Sequence, residues 1–129
     1  YVNSSSQTVQ GQYYPAAAST ATALAYAYVV DDPNAVFQVC ATTAGSTTPA
    51  AYTRAAMVGK NVAMVAGAGS TTTGLSQATL STTLAGAGNN AQMRIVDIAP
   101  FADNAWGDDY VIVRATISKS QYQAASNAI

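Results

Sequence analysis

The sequence predicts an all-β protein: an antiparallel jelly-roll-like β-sandwich with an extended N-terminal arm and at most one short helix. Three observations carry this expectation. Short runs rich in Val, Ile, Thr and Tyr recur between turn signals at intervals of roughly 8 to 12 residues, the spacing of sandwich and barrel strands. Sustained helical periodicity is lacking along the chain. Alanine makes up 28 of the 129 residues, whereas there are two Phe and one Trp, so the core must be thin and built on sheet.

Residues 1–19 carry no charge and mix Asn, Ser, Gln, Thr and Gly with Tyr13, Tyr14 and Pro15. They read as an arm that gains order by lying on a neighbour, because it buries too little alone to offset its ordering entropy. Residues 20–129 read as one sandwich domain, close to the common domain size. Residues 16–27 hold good helix formers but run into Tyr26, Tyr28, Val29 and Val30, which favour a strand. Asp31, Asp32, Pro33 and Asn34 form a turn, and residues 35–43 form the next strand. Within it Cys40 stands beside Phe37 and Val39 and reads as core. As the sole cysteine of the chain it cannot form an intramolecular disulfide, and without histidine it lacks the usual activating base.

After a break at residues 45–49, residues 52–58 and 61–66 read as shorter strands around a tight turn at Gly59 and Lys60. Residues 67–74 are a polar loop. Residues 76–85 read as a short helix, with Ser76 as cap, Leu80 and Leu84 on one face and Gly86 as its end. Beyond a turn at residues 86–90, residues 92–98 and 110–117 are the clearest strands. The intervening loop, residues 99–109, holds Pro100, Phe101, Asp103, Asn104, Trp106, Gly107, Asp108 and Asp109.

The chain contains neither glutamate nor histidine, and 11 residues are charged. The side chains that most often move protons or hold catalytic metals are therefore missing, and an enzyme is not expected. A net charge of −1 and a pI near 4.8 give no attraction to phosphate backbones, so nucleic acid is not an expected partner. The longest apolar stretches fall short of the roughly 18 to 20 residues that span a bilayer, and residues 1–12 are polar without a basic segment; no membrane partner or targeting element is expected.

Residues 61–76 imitate a phosphate-binding strand and loop, and Ile95, Val96 and Asp97 imitate the apolar run whose aspartate holds magnesium. The imitation fails where Leu75 stands in place of the lysine that reaches the terminal phosphates. Asp103, Asn104, Asp108 and Asp109 lack the alternating spacing and terminal glutamate of an EF-hand loop. Ser118 beside Lys119 would point to opposite faces of a strand. No cofactor, metal or catalytic residue is expected.

Eight tyrosines in so lightly charged a chain point to contact surfaces, since tyrosine brings large area at small entropy cost. Tyr26, Tyr28 and Tyr110 are expected to fill or edge the sandwich. Tyr13, Tyr14 and Tyr122 flank the expected arms, and they are contact candidates together with Phe101, Asp103, Trp106, Asp108 and Asp109. Trp106, in its acidic loop, is the expected interface anchor.

The segment MRIVDIAPFADNAWGDDYVIVRATI at residues 93–117, with NVAMVAGAGSTTTG at residues 61–74 and the closing Gln121 and Tyr122, resembles the small cementing proteins of tailed bacteriophage capsids, in particular those of short-tailed phages of the Bordetella phage kind. The resemblance covers roughly the last half of the chain. It implies a jelly-roll decoration protein on the outer surface of the icosahedral virion, bound to a major capsid protein of HK97-like fold and bridging neighbouring capsomers. Its partners would be that capsid protein and itself as a homo-oligomer, a dimer in preference to a trimer. A different structural reading is a subunit of an extracellular filament or surface layer, assembled by exchange of the uncharged N-terminal strand. An enzyme using Ser76 or Asp97 is the third.

Overall fold

The computed structural model describes residues 7–11, 26–42, 52–86, 88–89 and 91–120. The expectations placed on Tyr13, Tyr14, Tyr122, the helix-forming residues 16–25 and the break at 45–49 lie outside them. The described elements run β1 (Val36–Thr42), α1 (Arg54–Met57), β2 (Asn61–Val65), β3 (Thr79–Leu84), β4 (Met93–Ile98) and β5 (Tyr110–Ile117). The class is thus all-β with one short helix among the described residues.

The chain groups into two compact units, one comprising Tyr1–Asp31 with Gly67–Gln77, the other Asp32–Ala66 with Ala78–Ile129. All six elements belong to the second. Its strands close into a barrel in the order β1, β3, β2, β4, β5. The β1–β5, β4–β5, β2–β4 and β2–β3 pairs are antiparallel, while β1 meets β3 in parallel through one residue pair, Ala41 with Leu80.

Strand alternation explains which residues reach the core. On β1, Phe37, Val39 and Ala41 turn inward and pair with Ala115, Val113 and Val111 of β5. Ala41, Val111, Val113 and Ala115 join Met57, Val62, Leu80, Met93 and Ile95 in one buried cluster, against which half-buried Phe37 and Val39 pack. A bulge between Ile95 and Asp97 resets the alternation on β4, so that Ile95 and Ile98 both face the core while Asp97 lies opposite Arg114 on the outside. Four of the buried residues are Ala or Met rather than large branched side chains, as the alanine-rich composition requires.

Two expected elements change type. Residues 52–58 hold α1 instead of a strand: Thr53 caps it by accepting from the Ala56 amide at 3.3 Å, and the run Arg54–Met57 has no β-branched residue to oppose a helical turn. Gly59, at φ 81°, then reverses the chain, a backbone state that glycine adopts without strain. Residues 76–85 hold β3 instead of a helix. Leu80 and Leu84 share a face at spacing four in both geometries, and Thr79, Thr82 and Thr83 favour the extended one.

Two expected burials also change. Tyr26 and Tyr28 are 81% and 96% exposed, and residues 26–30 form no strand. Strand propensity is expressed through pairing and packing, and these residues have neither. Cys40 is not core: it falls between inward-facing Val39 and Ala41, so it turns outward and sits half-buried opposite Ile112.

In the first unit, Thr8 makes an isolated bridge. Residues 67–77 form a tight loop in which the Ser70 amide donates to Leu75 O at 3.0 Å and the Gly74 amide to Ser70 O at 2.8 Å. The Thr73 and Leu75 amides donate to Ser70 Oγ and Thr73 Oγ1. Gly67 is required there, because a Cβ would stand 2.1 Å from Gln77 O. The Ser70, Thr73, Gly74 and Leu75 amides are thus used by the loop itself.

Candidate interaction surface

The surface begins with the β4–β5 hairpin and its long connection. β4 stops pairing at Ile98 with Val113, three residues short of the start of β5. Asn104 takes over. Its Nδ2 donates to Ile112 O at 2.7 Å and to Ala99 O at 2.9 Å, and its Oδ1 accepts from the Ile112 amide at 2.9 Å. A primary amide offers the same donor and acceptor as a peptide group, so this side chain does for β5 what a further residue of β4 would have done. The Ala99 amide also donates to Ile112 O at 2.9 Å.

With the loop anchored at Asn104, its remaining members are sorted by exposure. Phe101, Asp103, Asp108 and Asp109 are exposed. Asp108 shapes the turn by accepting from the Ala105 amide through Oδ2 at 2.9 Å, and the Asp109 carbonyl receives Thr42 Oγ1 at 3.4 Å. Trp106 is half-buried and packs on the barrel core. Its ring therefore braces the loop, leaving an uncovered part available for contact. The structure brings Phe101, Asp103, Trp106, Asp108 and Asp109 together in one loop, with Tyr13, Tyr14 and Tyr122 outside the described residues.

The outer face of the adjoining strands carries the second half of the surface. Outward pairs run from Thr42 and Tyr110 through Cys40 and Ile112 to Gln38 and Arg114, then to Val36 and Thr116. On β4, Asp97 lies beside Arg114 and Arg94 beside Thr116. Arg54 reaches across from α1 to grip both Asp97 oxygens, Nε to Oδ1 at 3.4 Å and a terminal nitrogen to Oδ2 at 3.3 Å. Arg94 Nε donates to Gly59 O at 3.0 Å. The Nε of Arg114 is buried without a hydrogen-bond partner among the described residues.

The guanidinium of Arg54, together with the Ile98 amide bonded to Oδ1, holds the Asp97 carboxyl below the usual carboxylate range, with Arg114 adding to the effect. Because the folded state favours the charged form, the stabilisation is complete above the ordinary carboxyl range and is lost as pH falls through the depressed value. Replacing Arg54→Ala removes the largest cause, so an NMR carboxyl titration is expected to move Asp97 upward. An unmoved titration would remove this pair from the surface. The Cys40 thiol is shifted the other way, upward, by partial burial, which leaves it mostly protonated and a poor nucleophile at neutral pH.

Among the described residues, no three metal-ligating side chains gather, and no helix is long and apolar enough to cross a membrane. Ser118 is buried and donates through Oγ to Ala91 O. The sequence reading missed the outward row of Cys40 and Ile112 and the reach of Arg54, both products of long-range pairing. Asn104 was visible as a loop residue, but its partners were not. Comparison with protein-family models, curated proteins and solved structures finds no significant match for this chain.

Proposed function

We propose that this protein is a capsid cement, or decoration, protein that binds the outer surface of an HK97-like shell and bridges neighbouring capsomers to stabilise the virion. One observation carries the reading. The block that resembles phage cementing proteins, residues 93–117, coincides with a single structural piece, β4, its loop and β5, in which the strands build core and the loop holds exposed Phe101 and Asp103. A contact role also suits a chain without glutamate or histidine.

The physics of such a role is additive. A shell under outward pressure is held by interface area that rupture would have to expose, and one small interface gives modest affinity once ordering costs are met. Engaging two capsomers at once raises the effective concentration of each further contact. A jelly roll, with eight strands in two sheets, would need strands from segments beyond the described residues.

The test is co-sedimentation of the purified protein with expanded shells that lack it. Saturable binding is expected, weakened by Phe101→Ala and Asp103→Asn with the barrel intact. Absence of binding at any concentration would sink the proposal.

The filament reading is favoured by a separate observation. Among the described residues, β1 and β3 share one pair, Ala41 with Leu80, so this seam is where a strand from another copy would add. Filaments formed by the isolated protein, seen by electron microscopy, would select it.

A further inference from the structure

We propose that the outer face of β4 and β5, together with Arg54 of α1, binds an acidic segment of a partner protein through the carboxylates of that segment. This inference goes beyond the capsid reading, because it names the chemistry of the partner and holds for any partner that carries it.

The face gathers three of the chain's five cations. Arg114 lies opposite Asp97, Arg94 lies opposite Thr116, and Arg54 reaches Asp97 from α1. Arg94 and Arg114 are therefore diagonal neighbours across the two strands, about 7 to 8 Å apart. Three guanidiniums against one carboxylate leave two positives on this face, in a chain whose net charge is −1.

Arg54 is the member best placed to meet a partner. Its side chain is 68% exposed, and its bonds to Asp97, at 3.3 and 3.4 Å, are longer than the about 2.7 to 2.9 Å of a tight charge-assisted pair. Asp97 takes two of the five guanidinium N–H donors, and three remain for a second carboxylate. Arg94 is half-buried and seated by its Nε on Gly59 O, which fixes its charge beside the same spot. Arg114, with its Nε buried, contributes charge rather than a contact. Val36, 52% exposed and opposite Thr116, adds an apolar foothold for the segment. The lowered Asp97 carboxyl, bonded by Arg54 and further favoured by the charge of Arg114, supports a field on this face that suits carboxylates.

The partner is a short acidic segment rather than a long polyanion because the positive field is local. Asp108 and Asp109 are exposed, six and five residues before Arg114, roughly 16 to 20 Å along an extended strand. A nucleic acid or anionic bilayer laid over the arginines would also meet these aspartates. The same distance is about twice the Debye length of ~8 Å at physiological salt, so the acidic loop does not cancel the arginines from afar. A segment with two carboxylates neutralises the face and reaches no further.

The test is fluorescence anisotropy of a labelled hexaglutamate peptide titrated with the full chain. Saturable binding is expected at about 0.01 M salt, where charges interact over ~30 Å, and its loss at about 1 M, where they interact over ~3 Å. Arg54→Gln and Arg94→Gln are each expected to weaken binding about three- to fivefold, the scale of one exposed ion pair. Lys119→Gln, which removes the same charge beyond the end of β5, should leave it unchanged. Asp97→Asn keeps an acceptor for the Ile98 amide and removes the competing carboxylate. It should tighten binding about threefold, a gain that a misfolded chain cannot give. No binding, an equal loss in Lys119→Gln, or unchanged or weaker binding in Asp97→Asn would overturn the proposal. So would a DNA duplex of about 20 base pairs that binds more tightly than the peptide, or self-association of the chain alone that Arg54→Gln abolishes, since these give the face to a nucleic acid or to a second copy.

Discussion

Leu80→Ala is expected to lower the stability of the barrel by about 2 to 5 kcal/mol, the range for emptying a leucine site in a closed core. Leu80 is fully buried, lies opposite Met64 of β2 and forms with Ala41 the one pair that joins β3 to β1. Its neighbours include alanines and strand backbones, which cannot expand into a void, so the upper part of the range is expected. Leu75→Ala is the control: Leu75 is 62% exposed, and its loss should change stability by no more than about 0.5 kcal/mol. Denaturant midpoints at unchanged slope would measure both. A small domain holds about 5 to 15 kcal/mol in all, so the first variant should be near its unfolding threshold. Equal effects would mean that β3 is not part of a closed barrel.

Asn104→Ala is expected to cost about 2 kcal/mol and to loosen the β4–β5 loop. The variant strips three hydrogen bonds at once, two at Ile112 where water can take over and one to the half-buried Ala99 carbonyl. At about 0.5 to 1.5 kcal/mol for each bond, their joint loss accounts for about 2 kcal/mol. Ile112 O keeps the Ala99 amide, so that end of the arrangement survives. Hydrogen exchange at the Ile112 amide should accelerate by roughly thirtyfold, the equivalent of about 2 kcal/mol. Asn104→Asp retains the acceptor and loses the two donations, so it should protect the Ile112 amide while releasing Ala99 O. Unchanged exchange in Asn104→Ala would show that the loop is held by Trp106 packing alone.

What could be read from the sequence follows from which signals are local. β4 and β5 were visible because alternation and β-branched content agree over six to eight residues, and the turn at Gly59 because a glycine sits between two apolar runs. The exchange of types at α1 and β3 has a common origin. Four residues with one cap cannot show a period, and a Leu80 to Leu84 spacing fits helix and strand equally. Cys40 was misplaced because the apolar run from Val36 to Ala41 conceals its alternation: every residue except Gln38 is hydrophobic, so the inward set emerges only when β5 pairs with β1. The exposed acidic loop was legible as a contact candidate from composition. Its anchoring by Asn104, and the charge order along β5, required the register between strands.

The central claim is that this chain works by covering and joining surfaces, with its barrel as a rigid base for the hairpin loop and outer face. Cryo-electron microscopy of capsids purified from the source that encodes the chain tests it most directly. The account predicts density for the five-stranded barrel on the outside of the shell, spanning a junction between capsomers with the loop that carries Phe101 and Asp103 turned toward the major capsid protein. Shells whose density is fully explained without this chain would contradict it.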